Sequence, residues 1–189
     1  MEHTQKSNDM QNAEHAQMSV AVESKTLPRR FLIINGPNLN MLGIREPQHY
    51  GNMTYAQLVE QIRAYASSHG VIATFFQSNI EGELVDAIQS CYFGRCDGIV
   101  INPGAYTHTS IALLDALRAV GLPAVEVHIS DVDHREEFRK ISYVRAACIK
   151  TISGKGTDGY LLALDALIEC LDGDKDGKTS EPDQPASGK

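Results

Sequence analysis

The sequence predicts an α/β domain: a doubly wound, five-stranded parallel sheet with helices on both faces. Two observations carry this. Short continuous apolar runs alternate with longer segments in which apolar residues recur every three or four positions, and each short run ends in polar, Asn-, Gly- or Pro-containing residues. A run apolar at consecutive positions suits a strand buried on both faces, and parallel strands need a crossover, usually helical, to bring the chain back. A chain of 189 residues with 42% apolar content can bury one core of ordinary size.

The first run, Phe31-Leu32-Ile33-Ile34, ends at Asn35-Gly36-Pro37-Asn38 and reads as a buried strand. Thr54 is placed to cap a helix through about Ser68, with Leu58, Ile62 and Tyr65 on one face and His69-Gly70 as its stop. Strands are then expected at 71–77, 98–102, 124–129 and 147–152, and helices at 81–92, 110–120 and 157–171. Five βα units with right-handed crossovers are expected. Residues 1–28 and 172–189 are polar and without a lasting apolar period, so both are expected to be disordered extensions of a domain spanning 29–171.

Charge and composition narrow the function classes. A formal charge of −7 and a pI near 5.4 argue against a nucleic-acid partner, which needs clustered Lys and Arg. With neither a bilayer-length apolar run nor a basic-then-apolar leader, a cytoplasmic protein without a membrane partner is expected. Cys91, Cys96, Cys148 and Cys170 have no CxxC spacing, which favours reduced thiols over a zinc site or a disulfide scaffold.

In such a fold the site lies outside the carboxyl ends of the strands. Glu126 and His128 are two apart on the fourth strand, so they share a face, and a carboxylate beside an imidazole orients it and favours its protonated form. That suits a general acid; a solvated pair or a zinc-ligand pair lacking a third ligand are the alternatives. The segment 36–52 exceeds the usual βα connection and reads as a lid carrying Arg45 and Tyr50. A Tyr can act as a base only where a cation and a closed pocket stabilise the phenolate; otherwise a loop Tyr is a packing residue. The segment from Asn102 to Ser110 offers amides, helix caps and His108 to a polar ligand, or is simply a capped loop. Gly154, Gly156 and Gly159 match GxGxxG, but the unit is the last of the domain and has no acidic residue at a following strand end. Tight packing of helix onto strand is the simpler account.

Four segments together resemble the type II 3-dehydroquinate dehydratases, from Phe31 to about Leu171: Phe31 to Gly43; Arg45-Glu46-Pro47 with Tyr50-Gly51; Asn102 to Ser110; and Glu126-Val127-His128-Ile129-Ser130. The resemblance implies a flavodoxin-like fold and anti elimination of water from 3-dehydroquinate through an enolate, with no cofactor, metal or imine. The shikimate pathway to chorismate and the aromatic amino acids, or quinate breakdown, is the implied setting. Tyr50 resembles the base, Arg45 the lid arginine that favours its phenolate, and Asn38 the residue holding a water against the enolate oxygen. His128 resembles the acid, with Glu126 orienting it. Asn102, His108, Asp115, Ile129, Ser130 and Arg139 fall on substrate-binding positions, and trimers assembling into a homododecamer are implied. The departures are mild: Asp131 stands where Asn is more usual, and both ends are longer.

Two other classes share the architecture. A phosphoacceptor domain would welcome Lys155 after the last strand, but it needs carboxylates where Asn35 and Asn102 stand. A flavin-binding carrier needs hydroxyls in the first loop, and Gly36-Pro37-Asn38-Leu39 has none.

Overall fold

The computed structural model describes residues 27–44, 53–132 and 136–176. Five strands, β1 (Arg29–Asn35), β2 (Val71–Gln77), β3 (Gly98–Asn102), β4 (Ala124–His128) and β5 (Lys150–Ser153), form one sheet in the order β2-β1-β3-β4-β5. Every pairing is parallel. This is the flavodoxin-like order, in which the chain changes direction across the sheet between β1 and β3.

The helices are α1 (Tyr55–Ser68), α2 (Glu81–Phe93), α3 (Ile111–Val120) and α4 (Gly159–Asp176). Strand periodicity decides which of them each face receives. Phe31 and Ile33 on β1, Val100 on β3 and Val125 and Val127 on β4 pack with α1 and α4 in one apolar layer. The alternating residues Ile34, Ile99, Ile101 and Ala124 pack with α2 and α3 in the other. Each fully buried Ile or Leu contributes about 1.5 to 3 kcal/mol relative to exposure, so both layers hold their helices by burial.

The caps follow the sequence. Thr54 Oγ1 accepts from the Gln57 backbone N–H while Gln57 Oε1 accepts from that of Thr54, a reciprocal box at the start of α1. Ser110 Oγ accepts from the Leu113 N–H at 2.9 Å and starts α3.

Two expectations need correction. The fourth connection carries no α-helix among the described residues. From β4 to β5 the chain passes through 3-10 turns at Glu137–Arg139 and Val144–Ala147, so the count of five βα units becomes four helices. At the carboxyl end, α4 continues past Leu171 to Asp176, and Arg29 donates to Asp172 Oδ1 at 2.6 Å. The polar composition from Asp172 onward predicts a disordered extension, but a helix whose Asp172 and Gly173 are exposed needs no apolar residues there. Near the start of α4, a Cβ on Gly159 would lie 3.3 Å from Val127 Cγ1, which agrees with helix-to-strand packing as the reason for the GxGxxG run. No described helix is long and apolar enough to cross a membrane.

Candidate active site

The carboxyl ends of β1 and β3 sit side by side at the point where the chain reverses direction. Their loops interlock through backbone: the Gly36 N–H donates to the Asn102 carbonyl at 2.8 Å, and a Cβ on Gly36 would lie 2.3 Å from the Pro103 carbonyl oxygen. Only glycine permits that approach. Beside this junction opens a cleft of about 160 Å³ whose polar lining includes Asn38, Asn102, His108, His128, Ser130 and Arg139.

β4 supplies the most constrained group. Glu126 is 0% exposed and His128 5%, and Nε2 of the imidazole lies 2.9 Å from Glu126 Oε1. The carboxylate is held from several other directions: Ser142 Oγ donates to Oε1 at 2.5 Å, Thr151 Oγ1 donates to Oε2 at 2.9 Å, and Arg145 Nε stands 3.7 Å from Oε2. Burial alone would push the Glu126 carboxyl up, but the hydrogen bond and charge of His128, together with the Ser142 and Thr151 hydroxyls, outweigh it and hold the group below its ordinary value. An ionised carboxylate only accepts, so His128 Nε2 carries hydrogen. Nδ1 is then the ring nitrogen left for the cleft. It accepts a proton when the ring is neutral and donates one when it is imidazolium.

On the opposite face, Asn35 and Asn102 lie in register on β1 and β3 and both meet Tyr160 of α4. The Tyr160 hydroxyl donates to Asn35 Oδ1 at 2.5 Å and accepts from Asn102 Nδ2 at 2.9 Å, while Asn102 Oδ1 accepts from the Gly104 N–H at 3.2 Å. Burial pushes the Tyr160 hydroxyl far up, so it stays a neutral link in this chain. Asn102 therefore reaches the cleft with its amide already fixed.

The remaining lining groups are held from the loops. Asn38 is the only non-glycine residue with positive φ (68°) among the described residues, a conformation Asn tolerates, and its N–H donates to Asn79 Oδ1 at 2.8 Å. His108 Nδ1 lies 2.7 Å from the Ile141 carbonyl and donates to it, which frees Nε2. Arg139 Nε donates to Glu136 Oε2 at 2.7 Å, and its guanidinium lies over the Phe138 ring.

Of the residues singled out by sequence, the structure brings Asn38, Asn102, His108, His128, Ile129, Ser130 and Arg139 to one cleft, with Glu126 behind His128. Arg45 and Tyr50 lie outside the described residues. Asp115 does not line the cleft and is exposed on α3. Sequence reasoning misses Ser142, Thr151 and Arg145 around Glu126, and within the helix expected at 157–171 it gives no sign that the Tyr160 hydroxyl serves two asparagines. Thr151 pairs with Glu126 in the β4–β5 register, a neighbour that shows only once those strands are known to pair. Among the described residues no three His, Cys, Asp or Glu side chains converge as a metal site.

A flavodoxin-like sheet with a buried carboxylate–imidazole pair at the edge of a polar cleft is the framework of an α/β enzyme. The family within that class is given by comparison with known proteins. The family model "Dehydroquinase class II" matches residues 29–168, and the chain belongs to that family. Proteins named 3-dehydroquinate dehydratase from Carboxydothermus hydrogenoformans and Sulfurimonas denitrificans are 54% and 53% identical over 142 residues. These matches cover 75% of this chain and 92% and 88% of those proteins. The crystal structure of type II dehydroquinase from Butyrivibrio crossotus superposes with a TM-score of 0.74 at 51% identity, covering 75% of this chain and 98% of that one.

Proposed function

We propose that this protein dehydrates 3-dehydroquinate to 3-dehydroshikimate by anti elimination, as a step toward chorismate and the aromatic amino acids. The observation that carries the reading is the buried Glu126–His128 pair, which leaves Nδ1 for the cleft. In the imidazolium form, Nδ1–H gives its proton to the C1 hydroxyl as the C–O bond breaks, and water departs. Glu126 remains ionised throughout and stabilises the cation.

The base must take a proton from C2, leaving electrons that pass through an enolate before the new double bond forms. Tyr50 is assigned that role on family resemblance, with Arg45 favouring its phenolate. Two other tyrosines are poorly suited to it: burial pushes up the hydroxyls of both Tyr160 and Tyr55. After elimination Tyr50 is protonated and His128 neutral, so return of one proton from the first to the second resets the site. Asn38 holds a water against the enolate oxygen, a contribution of about 3 to 4 kcal/mol by analogy with single-donor deletions. Asn102, His108, Ile129, Ser130 and Arg139 bind the substrate hydroxyls and carboxylate. Asp115, exposed on α3, can reach a substrate only in the cleft of a neighbouring copy, which is consistent with trimers assembling into a dodecamer.

The test is ultraviolet absorbance of the conjugated enone on mixing the protein with 3-dehydroquinate, repeated with EDTA and after borohydride. Product insensitive to both treatments is expected, whereas loss to either reagent would overturn the metal-free, imine-free route. Solution scattering checks the assembly, and a monomeric mass would refute it.

A further inference from the structure

We propose that Cys91 and Cys96 form a peroxide-responsive dithiol, in which a hydroperoxide oxidises Cys96 and Cys91 resolves it to an intramolecular disulfide. Cys91 lies in the last turns of α2, and Cys96 two residues past Gly94, the residue that ends that helix. The chain folds back there, so both thiols join one apolar cluster and both line a cavity of about 200 Å³ together with Arg30, Thr74, Ser90 and Arg95. Residues 30 and 96 stand at the amino ends of β1 and β3, across the sheet from the cleft.

The two sulfurs have unequal roles. Cys96 is partly exposed and its Sγ donates to the Gly98 carbonyl at 3.3 Å, whereas Cys91 is buried, so a peroxide in the shared cavity meets Cys96 first. The neighbouring Cys91 thiol also pulls Cys96 down, against burial and the nearby Asp97 carboxylate. The thiolate is the nucleophile toward peroxide, so Cys96 reacts first. Its sulfur attacks the O–O bond, one oxygen is transferred to give a sulfenic acid, and the second leaves as water or alcohol after taking up a proton. Cys91 sulfur then displaces the sulfenic oxygen as water, closing the S–S bond. Electrons balance, with two thiols oxidised by two electrons and one peroxide reduced. Cys148 offers a contrast, because burial and the Glu126 charge push it up to about 12.

The experiment exposes the full-length, reduced protein to hydrogen peroxide near neutral pH and follows intact mass and thiol alkylation. The expected product has lost two hydrogens, with Cys91 and Cys96 blocked to alkylation before Cys148 and Cys170, because only the first two line one shared cavity. Trypsin cuts after Arg95, so fragments 64–95 and 96–118 remain joined only if the bond has formed. In Cys91→Ser the reaction stops at one added oxygen on residue 96, trapped by dimedone, and in Cys96→Ser residue 91 stays reduced at the same dose. Unchanged mass, first oxidation at Cys148 or Cys170, or equal reaction of Cys91 in the Cys96→Ser variant would each overturn the proposal.

Discussion

Replacing Glu126 with Gln tests the mechanism most directly, because the change removes a charge while nearly keeping a shape. The carboxylate is wholly buried and accepts from His128, Ser142 and Thr151. A glutamine can keep its carbonyl oxygen toward His128 and Ser142 and turn its NH₂ toward Thr151. The Thr151 hydroxyl rotates and accepts as readily as it donates. Fold and polar satisfaction therefore survive, and what disappears is the charge-assisted bond to the imidazolium, together with the weaker attraction of Arg145 at 3.7 Å. Such bonds contribute about 1.5 to 3 kcal/mol, so kcat should fall roughly 10- to 150-fold. KM should change little, because Glu126 lies behind His128 and the loss falls on the proton-transfer step. Steady-state kinetics from enone absorbance, beside circular dichroism, separate the terms. A kcat within twofold of the parent in a folded variant would refute the reasoning, and a raised KM at constant kcat would make Glu126 a binding residue only.

The same carboxylate sets an acid limit on stability. Its folded value lies below the ordinary one, so ionised Glu126 adds stability above the unfolded value of about 4.3, and this is lost as pH falls through the folded value. Denaturant unfolding of the parent should weaken through that window, and Glu126→Gln should weaken less; parallel curves would count against it. Tyr160→Phe strips the partner from two buried amides, at about 1 to 3 kcal/mol for each orphaned group, and should raise KM through Asn102; unchanged urea stability would show that the chain carries no weight. Gly36→Ala forces a methyl against the Pro103 carbonyl and should lower the melting temperature and disturb the cleft together, whereas a melting temperature equal to the parent's would contradict the interlock.

Much of this was legible in the sequence because it depends on period and order. Consecutive apolar residues marked β1 and β3, the two-residue spacing of Glu126 and His128 placed them on one face, and Thr54 and Ser110 announced their helices. What stayed hidden depends on the third dimension. Ser142 comes to Glu126 from a connection of 3-10 turns that leaves no periodic signal, and Thr151 becomes its neighbour only once β4 is known to pair with β5. Tyr160 kept the apolar period of α4 while its hydroxyl served two asparagines, since a tyrosine satisfies a core pattern and a polar network together. The helix runs on past Leu171 because its exposed Asp172 and Gly173 obey no hydrophobic rule.

The cleft's chemistry is divided by strand parity. Asn35 and Asn102 end β1 and β3 facing the layer of α1 and α4, whereas Glu126 and His128 on β4 face the layer of α2 and α3. One layer thus delivers neutral amides, fixed by Tyr160, and the other delivers an ionised carboxylate and the imidazole it pins. A carboxylate at Asn35 or Asn102 would be buried against the Tyr160 hydroxyl and would add negative charge to a cleft that must receive an anionic substrate. The negative charge that the proposed acid requires is kept instead one residue pair deeper, in Glu126 behind His128, at 2.9 Å from the imidazole Nε2. That separation is why amides at two strand ends and a Glu-x-His at a third belong to a single design.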